Sequence, residues 1–263
     1  MTADESPDVL SQHLSRVPVH RALIRALEHR LFAQETLVHP VLDIGCGDGH
    51  YAAAAFPDGL DVGIDVTEEI VAEARRNGPY RRVEIASGTA LPYADESFHT
   101  VVSNCVIEHI PDIESLVREV SRVLAPEGRF IFSVPDDRFT EMLFTVRTLK
   151  RLRLSGLAER YGRWWNGNAA HHHLDSPQTW AERLTRHGLT IDRQTYYMSR
   201  SATRVFELSH YYAVPSIVWH RFTGRWSLRP HAVRSSIAYR WLKPYAEEPW
   251  PDIGSCAFFV AHK

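Results

Sequence analysis

The sequence predicts an α/β fold in which helices cover both faces of a doubly wound, mostly parallel, seven-stranded sheet. Three observations support this prediction: short apolar runs alternate with helical patterns, a glycine-rich turn follows the first run, and an acidic residue ends the second. Strands and helices that alternate in this way form right-handed βαβ units, and such units build a largely parallel sheet that is buried on both faces.

Each element is predicted from its apolar spacing and its boundary residues. Helical spacing, alanine richness or a capping residue predicts helices over residues 19–35, 50–56, 68–76, 113–124 and 177–187. Thr67, Asp112 and Ser176 are the expected N-caps of the last three. Short apolar runs predict strands over residues 41–44, 60–65, 82–86, 100–103, 129–134, 189–197 and 255–261.

Composition excludes several classes of protein. The 263 residues carry 30 basic and 32 acidic side chains, a formal charge of −2, and 44% of them are hydrophobic. These values rule out a disordered chain, a collagen-like repeat and a disulfide scaffold, and the charge disfavours a general nucleic-acid binder. Cys46, Cys105 and Cys256 lie far apart and form no CxxC pair, so neither a disulfide framework nor a structural zinc site is expected.

We expect a cytoplasmic protein. Free cysteines are typical of a reducing compartment. The first forty residues contain no apolar run near the length of about 20 residues that a membrane span needs. Asp4, Glu5 and Asp8 are unlike the basic start of a signal peptide.

The glycine-rich turn at residues 45–49 predicts a nucleotide site. Ligands of open α/β sheets bind beyond the carboxyl ends of the strands, where side chains in the turn would block close approach. Asp65 ends the second strand, 20 residues after Gly45, where a carboxylate accepts both hydroxyls of a ribose. The GxGxxG pattern of dinucleotide-binding proteins fails, because His50 occupies its last position. A nicotinamide-dependent dehydrogenase is therefore the weaker alternative.

The run Asp43-x-Gly45-x-Gly47-x-Gly49 resembles the first motif of the class I S-adenosylmethionine-dependent methyltransferases. Residues 91–103, 108–112 and 124–129 resemble the next segments of that family, in the same order. The resemblance implies a Rossmann-like fold, S-adenosylmethionine as the cofactor, and methyl transfer to O or N of a small molecule, including sugars and lipid-linked glycans. The alternative is a non-catalytic S-adenosylmethionine-binding regulatory or scaffold protein.

The resemblance also implies which residues hold the cofactor. Asp43 and the turn are expected to line its methionine portion and amino group, Asp65 its ribose and Val66 its adenine. Ser87 stands where relatives commonly carry an aspartate for the adenine amino group, so this contact is expected to carry less charge. The complete expected set is Asp43, Gly45, Cys46, Gly47, Gly49, Asp65, Val66, Ser87, Gly88, Thr89 and Asn104.

Histidines are the candidate catalytic residues. Methyl transfer from a sulfonium needs mainly alignment and exclusion of water, and a base matters only if the acceptor arrives protonated. His109 follows the fourth strand near the expected methyl position, and a structural hydrogen bond to a loop carbonyl is its main alternative role. His172 lies in the run 171–173, within a connection that commonly reaches the acceptor pocket in this family. No metal is expected there, because no acidic or cysteine partner has ligand spacing.

We expect a single domain over residues 1–263. Residues 1–39 form its N-terminal helical segment, and residues 40–135 form its cofactor-binding half. Helical insertions follow at 136–175, after the fifth strand, and at 199–250, between the sixth and seventh strands. Each insertion leaves the sheet and returns to it, so the two are expected to form a lid over the acceptor.

The second insertion is basic and aromatic. Between Arg193 and Lys243 the chain carries nine basic residues, one acid (Glu207) and ten aromatic residues. One interpretation is a helical cap whose rings pack on the sheet. The other is a site for an anionic, partly apolar acceptor, or a face that contacts an anionic membrane peripherally. Single-stranded nucleic acid is disfavoured, because no RNA-binding module is visible.

Overall fold

The computed structural model describes residues 8–223 and 236–263, with side chains described up to residue 211 and again from 236. The described residues form one seven-stranded sheet. Its strands are Val41–Ile44 (β1), Leu60–Asp65 (β2), Tyr80–Ile85 (β3), Phe98–Asn104 (β4), Leu124–Pro135 (β5), Thr190–Tyr197 (β6) and Cys256–His262 (β7).

Among the residues that the structure describes, two helices precede the first strand, and the others lie between the strands. The helices are Val9–Arg16 (α1), Val19–Phe32 (α2), His50–Ala55 (α3), Glu68–Asn77 (α4), Ile113–Val123 (α5), Phe139–Met142 (α6), Phe144–Arg151 (α7), Ser155–Asn168 (α8), Pro177–Arg186 (α9), Arg200–Thr223 (α10) and Ile237–Ala246 (α11). Of these, α6–α8 lie within the predicted insertion at 136–175, and α10 and α11 lie within that at 199–250. No helix in the described ranges has both the length and the apolar character to cross a bilayer.

The sheet has the order β3-β2-β1-β4-β5-β7-β6 and is mixed, which corrects the prediction of a mostly parallel sheet. The pairs from β3 to β5 are parallel, but β7 runs antiparallel to both β5 and β6. The physical reason lies in the second insertion. Tyr197 at the end of β6 pairs with Cys256 at the start of β7, so this connection begins and ends at one edge of the sheet. β7 must therefore run antiparallel to β6, because a parallel strand would need a connection that crosses to the opposite end of the sheet.

Both faces of the sheet are buried, as the apolar runs predict. Along β5, Phe130 and Phe132 belong to the buried cluster that includes residues of α5 and α9, whereas Ile131 between them belongs to the cluster that includes residues of α1, α2, α10 and α11. This alternation follows from the two-residue period of a strand. The sheet is therefore doubly wound, and its order reverses between β1 and β4, where α/β sheets bind ligands.

Helix capping agrees with the sequence at two of three positions. Asp112 accepts a hydrogen bond from the N–H of Ser115 at 3.1 Å, and Ser176 accepts one from Thr179 at 3.2 Å. The helix after Thr67 starts where predicted, but the Thr67 side chain forms no capping bond. Its own N–H donates instead to Oδ1 of Asp65 at 3.3 Å, which fixes that carboxylate beside the start of α4.

Candidate functional site

The turn after β1 requires glycine for two different reasons. Gly45, Gly47 and Gly49 all have positive φ, at +78°, +54° and +79°. A β-carbon at Gly45 would overlap the Val106 side chain, and one at Gly49 would lie 2.7 Å from the backbone nitrogen of Gly78. At Gly47 a β-carbon would meet no atom within 4 Å. The outer glycines thus permit packing, while Gly47 borders open space.

A carboxylate and an exposed apolar side chain flank that open space. Oδ2 of Asp65 accepts a hydrogen bond from the Gly47 N–H at 3.3 Å, and Oδ1 accepts one from the Val66 N–H at 2.8 Å. The Val66 side chain is 68% exposed, although it is apolar. The ends of β1 and β2 therefore present a bare backbone, an oriented carboxylate and an apolar platform side by side.

Residues 87–89 continue this edge beyond β3. The N–H of Ala86 donates to the carbonyl of Asp65 at 3.0 Å, which joins the ends of β2 and β3. Ser87 is exposed, and its hydroxyl lies 2.8 Å from the Thr89 hydroxyl. Gly88 is buried, with Ile44 and Leu116 both 3.1 Å from the position of a β-carbon. Ser87 and Thr89 thus supply the polar groups at this end of the crevice.

Asp43 lies beneath the turn and is paired with a tyrosine that the sequence analysis missed. The Tyr80 hydroxyl donates to Oδ2 of Asp43 at 2.6 Å. Gly63 and Gly78 leave room for the Tyr80 ring, since a β-carbon on either glycine would overlap it. Burial raises the pKa of Asp43 to about 7, the Tyr80 hydrogen bond opposes that shift, and the charge of Asp65 adds to it. A cation beside Asp43 would therefore strongly favour its ionised form.

A cavity of about 410 Å³ lies on the other side of the switch point. Its floor is formed where β4 and β5 end and β7 begins, at Cys105, Pro135 and Cys256. Because Val106 also touches the turn at Gly45, the cavity and the glycine-rich turn share the segment that follows β4. The remaining lining residues come mainly from α2, α8 and α10 and from the histidine-rich connection: His20, Arg21, Ile24, Arg25, Glu108, His109, Phe139, Trp164, Trp165, Asn168, Ala169, His171, Phe206 and His210.

A buried carboxylate on α2 ties this helix to the floor of the cavity. Glu28 is fully buried, and its oxygens accept hydrogen bonds from Arg25 at 2.6 Å, Asn104 at 2.9 Å, Cys105 at 3.0 Å and Tyr197 at 3.2 Å. Four donors from three parts of the chain satisfy this carboxylate, as burial of a charge requires. The network fixes α2, and with it Arg25, above the end of β4.

Asn104 takes part in that network and is not among the residues that line the cavity. Its amide nitrogen donates to Glu28, and its amide oxygen accepts from the Ser133 hydroxyl at 2.6 Å. Both polar ends of the side chain are thus bonded to protein groups. Cys105, the next residue, lines the cavity instead.

Glu108 is the second carboxylate that the sequence analysis did not select. It lines the cavity, is only 2% exposed, and its Oε2 has no hydrogen-bond partner among the described residues. Burial raises its pKa to about 8, so the group is mostly protonated at neutral pH. Its Oε1 lies 3.7 Å from Nε2 of His109. A buried, incompletely bonded acid with a raised pKa is typical of a proton-transfer group.

Of the two histidines selected from the sequence, His109 lines the cavity and His172 does not. His109 lines the cavity, and its Nδ1 donates to the Ala170 carbonyl at 3.0 Å, the structural bond given above as its alternative role. His172 is exposed and lies outside the lining, whereas His171 lines the cavity and stacks on His109 with ring centroids 5.6 Å apart. Burial lowers the pKa of His171 to about 4. His171 therefore takes the position that the sequence analysis gave to His172.

The backbone of the histidine run explains this orientation. The N–H groups of His172 and His173 both donate to the carbonyl of Glu108, at 2.9 and 3.1 Å. These bonds fasten the connection before α9 to the loop after β4, and they turn His171 inward and His172 outward. Across the described ranges, no three histidine, cysteine or acidic side chains are arranged to hold a metal ion.

Part of the basic aromatic segment falls outside the side chains described. Tyr212, Trp219, Phe222, Trp226, Arg221, Arg225, Arg229 and Arg234 belong to that part. Of the rest, Tyr197, Phe206 and Tyr239 pack in the core, as the interpretation of a helical cap requires. Glu207 is buried and accepts hydrogen bonds from the backbone of Thr145 and from the Tyr161 hydroxyl, which joins the two insertions.

Comparison with known families agrees with this geometry. Residues 42–132 match the model of a family described as a methyltransferase domain. An uncharacterized methyltransferase of Bacillus subtilis is 37% identical over 134 residues, which cover 46% of this chain and 53% of that protein. A demethylmenaquinone methyltransferase of Symbiobacterium thermophilum is 32% identical over 134 residues, which cover 45% of this chain and 53% of that protein. The chain thus spans about half the length of the curated relatives it matches.

Solved structures share the fold over nearly the whole chain. A Thermotoga maritima protein described as a methyltransferase, possibly acting on histamine, superposes with a TM-score of 0.56 at 17% identity and covers 93% of this chain and 91% of its own. The [4+2]-cyclase SpnF superposes with a TM-score of 0.57 at 19% identity and covers 95% and 83%. At these identities the likeness concerns the fold.

Proposed function

We propose that this chain, whose residues 42–132 match a methyltransferase-domain family, is a class I S-adenosylmethionine-dependent methyltransferase that transfers a methyl group to O or N of a small molecule held in the 410 Å³ cavity. One observation carries the proposal. The glycine cradle after β1 and the cavity beyond β4 share the loop that contains Val106, at the reversal of strand order. Two sites joined in this way suit a donor and an acceptor that must meet.

The residues present suit the family's cofactor, S-adenosylmethionine. Gly47 offers a backbone surface that a β-carbon would fill, Asp65 offers acceptor oxygens for ribose hydroxyls, and Val66 offers an apolar surface for adenine. Asp43 would hold the amino group, with Tyr80 fixing its orientation. Gly45, Cys46, Gly49, Ser87, Gly88, Thr89 and Asn104 complete the proposed site. When bound, this cofactor supplies a methyl group already activated on a sulfonium.

The chain's own contribution is to position the acceptor, exclude water and remove a proton. Rings from two insertions close the cavity: Phe139 and Trp165 from the first and Phe206 from the second. Glu108 is the proposed general base, because it is the lining carboxylate with an unbonded oxygen. His109 and His171 border it and are its proposed partners in proton transfer.

The cavity favours an acceptor that combines a ring with an anionic group. Arg21 and Arg25 line the wall formed by α2, and Glu28 neutralises only Arg25, at 2.6 Å. Among the described residues, no carboxylate pairs with Arg21. Trp164 and Trp165 supply flat surfaces that stack on sugars or aromatic rings. An acidic sugar, or a ring compound with a carboxylate or phosphate, would satisfy both features.

A turnover assay tests the proposal. Purified protein is incubated with methyl-labelled S-adenosylmethionine and a panel of acidic sugars, ring carboxylates and phosphates, and S-adenosylhomocysteine is measured. We expect acceptor-dependent formation of S-adenosylhomocysteine. Tight cofactor binding without turnover across the panel would favour the alternative, a non-catalytic S-adenosylmethionine-binding scaffold.

Replacing Gly47 with alanine tests the cradle itself. The added methyl group would enter the space assigned to the cofactor, so we expect affinity for S-adenosylhomocysteine to fall at least tenfold in calorimetry. Gly188→Ala is the matched control, because Gly188 also has a positive φ, +76°, with no atom within 4 Å of a β-carbon. Both variants should lose similar stability, about 1–2 kcal/mol from the left-handed backbone. Equal cofactor affinity in the two variants would contradict the assignment.

A further inference from the structure

The hairpin between α7 and α8 projects an apolar and basic tip. Residues 151–157, with the sequence RLRLSGL, are all exposed. Leu152 is 63% exposed and Leu157 52%, and Leu154 is exposed as well. Three leucines within six residues of exposed chain are costly to keep in water. Buried contacts made elsewhere in the hairpin, by Val146 and Ala158, show that packing of α7 against α8 does not need the tip.

The charge around the tip is strongly positive. From residue 147 to 163 the chain carries Arg147, Lys150, Arg151, Arg153, Arg160 and Arg163 against one acid, Glu159. Lys150 pairs with Glu141 at 2.6 Å, and Arg163 lies 3.8 Å from Glu159. Arg151, Arg153 and Arg160 form no ion pair with any residue the structure describes. The leucines therefore stand among cations that have no partner within the described chain.

The exposed surface continues from the tip to the mouth of the cavity. Leu157 and Trp164 are two helical turns apart and lie on one face of α8. Trp164 is 52% exposed and also lines the cavity. Tryptophan and arginine are typical of the headgroup region of a bilayer, and leucines are typical of the layer just beneath it.

From this arrangement we propose that the tip, residues 151–157 with Arg160 and Trp164, docks the protein on an anionic lipid surface. The cationic side chains complement anionic headgroups, and the leucines enter the boundary with the acyl chains. Docking in this orientation turns the cavity mouth toward the membrane. The proposal goes beyond the proposed methyl transfer, since lipid binding needs neither cofactor nor acceptor.

Vesicle sedimentation of the full chain tests the proposal. We expect binding to vesicles of phosphatidylcholine that contain about 30% phosphatidylglycerol, and weak binding to vesicles of phosphatidylcholine alone. Binding to the anionic vesicles should fall steeply as the salt concentration rises. Each basic side chain near such a surface contributes about fivefold to the partition coefficient. Arg151→Glu/Arg153→Glu should therefore lower it at least 25-fold, and Leu152→Ser/Leu154→Ser at least tenfold.

Two control variants make the same kinds of substitution at exposed positions outside the tip. Arg76→Glu/Arg118→Glu makes the same charge change at exposed positions on α4 and α5, and Val38→Ser/Ile237→Ser removes exposed apolar side chains elsewhere. Both controls should bind vesicles as the unaltered protein does. Equal loss in controls and tip variants would overturn the proposal. A second result would also overturn it: a dimer in light scattering that depends on the tip, together with no binding to anionic vesicles. The tip would then bind a second copy of the chain rather than a lipid surface.

Discussion

Replacing Asp65 with alanine is expected to weaken binding of S-adenosylmethionine by at least a hundredfold. The carboxylate is held by the N–H groups of Gly47, Val66 and Thr67, and it remains partly exposed toward the crevice. Two ribose hydroxyls that donate to a charged acceptor contribute about 1.5–3 kcal/mol each. Their loss corresponds to about two to four powers of ten in the dissociation constant.

Calorimetry with S-adenosylmethionine or S-adenosylhomocysteine measures this effect. Asp58→Ala is the matched control, because Asp58 is exposed and lies in the turn before β2, at the opposite end of that strand from Asp65. It removes the same charge and should leave the affinity unchanged. An Asp65→Ala protein that binds within twofold of the unaltered chain would remove Asp65 from the cofactor site.

Replacing Glu108 with glutamine is expected to lower turnover by about two to four powers of ten for an acceptor that must lose a proton. Glutamine keeps the size and hydrogen-bonding capacity of the side chain but cannot accept the proton. Affinity for the cofactor should stay within twofold, because Glu108 lies on the cavity side of the loop after β4. The separation of turnover from binding distinguishes a base from a residue that only supports the fold.

The pH profile supplies a second measurement on the same residue. Only the ionised carboxylate accepts a proton, and burial raises the pKa of Glu108 to about 8. Turnover should therefore rise with pH up to about 8 and then level off. In Glu108→Gln this rise should disappear. A rise that persists unchanged in Glu108→Gln would contradict the assignment of Glu108 as the base.

Much of the fold could be predicted from local pattern, because strand existence depends on short-range features. The apolar runs at β1 and β2 are bounded by proline, glycine and aspartate, and the structure has both strands at the predicted residues. The direction of β7 could not be predicted in the same way. Its direction depends on where the connection over residues 198–255 returns to the sheet, and no local pattern encodes that.

The site was predicted unevenly for a related reason. The glycine turn and Asp65 stand at fixed spacing within one βαβ unit, so the sequence reveals them directly. Tyr80 and Glu28 reach the site from other elements, and their partners Asp43 and Asn104 lie 37 and 76 residues away. Contacts at such separations depend on tertiary packing alone. The sequence signal for Glu28 is its position on the apolar side of a predicted helix, four residues after Ile24 and three before Leu31.

The histidine run shows what spacing cannot decide. Three consecutive residues in a loop have no periodicity, so the sequence does not indicate which side chain faces inward. Two hydrogen bonds to the Glu108 carbonyl decide it in favour of His171. Glu108 itself was visible in the family-like segment, but its importance follows from burial and an unbonded oxygen, which only the structure shows.

A crystal structure with S-adenosylhomocysteine tests the central claim most directly, since donor and acceptor sites are inferred to meet at the loop after β4. We expect the ribose hydroxyls on Asp65, the adenine beside Val66, and the sulfur directed past Val106 into the cavity that Glu108 lines. A nucleoside bound away from Gly47 and Asp65, or a sulfur facing away from that cavity, would contradict the account.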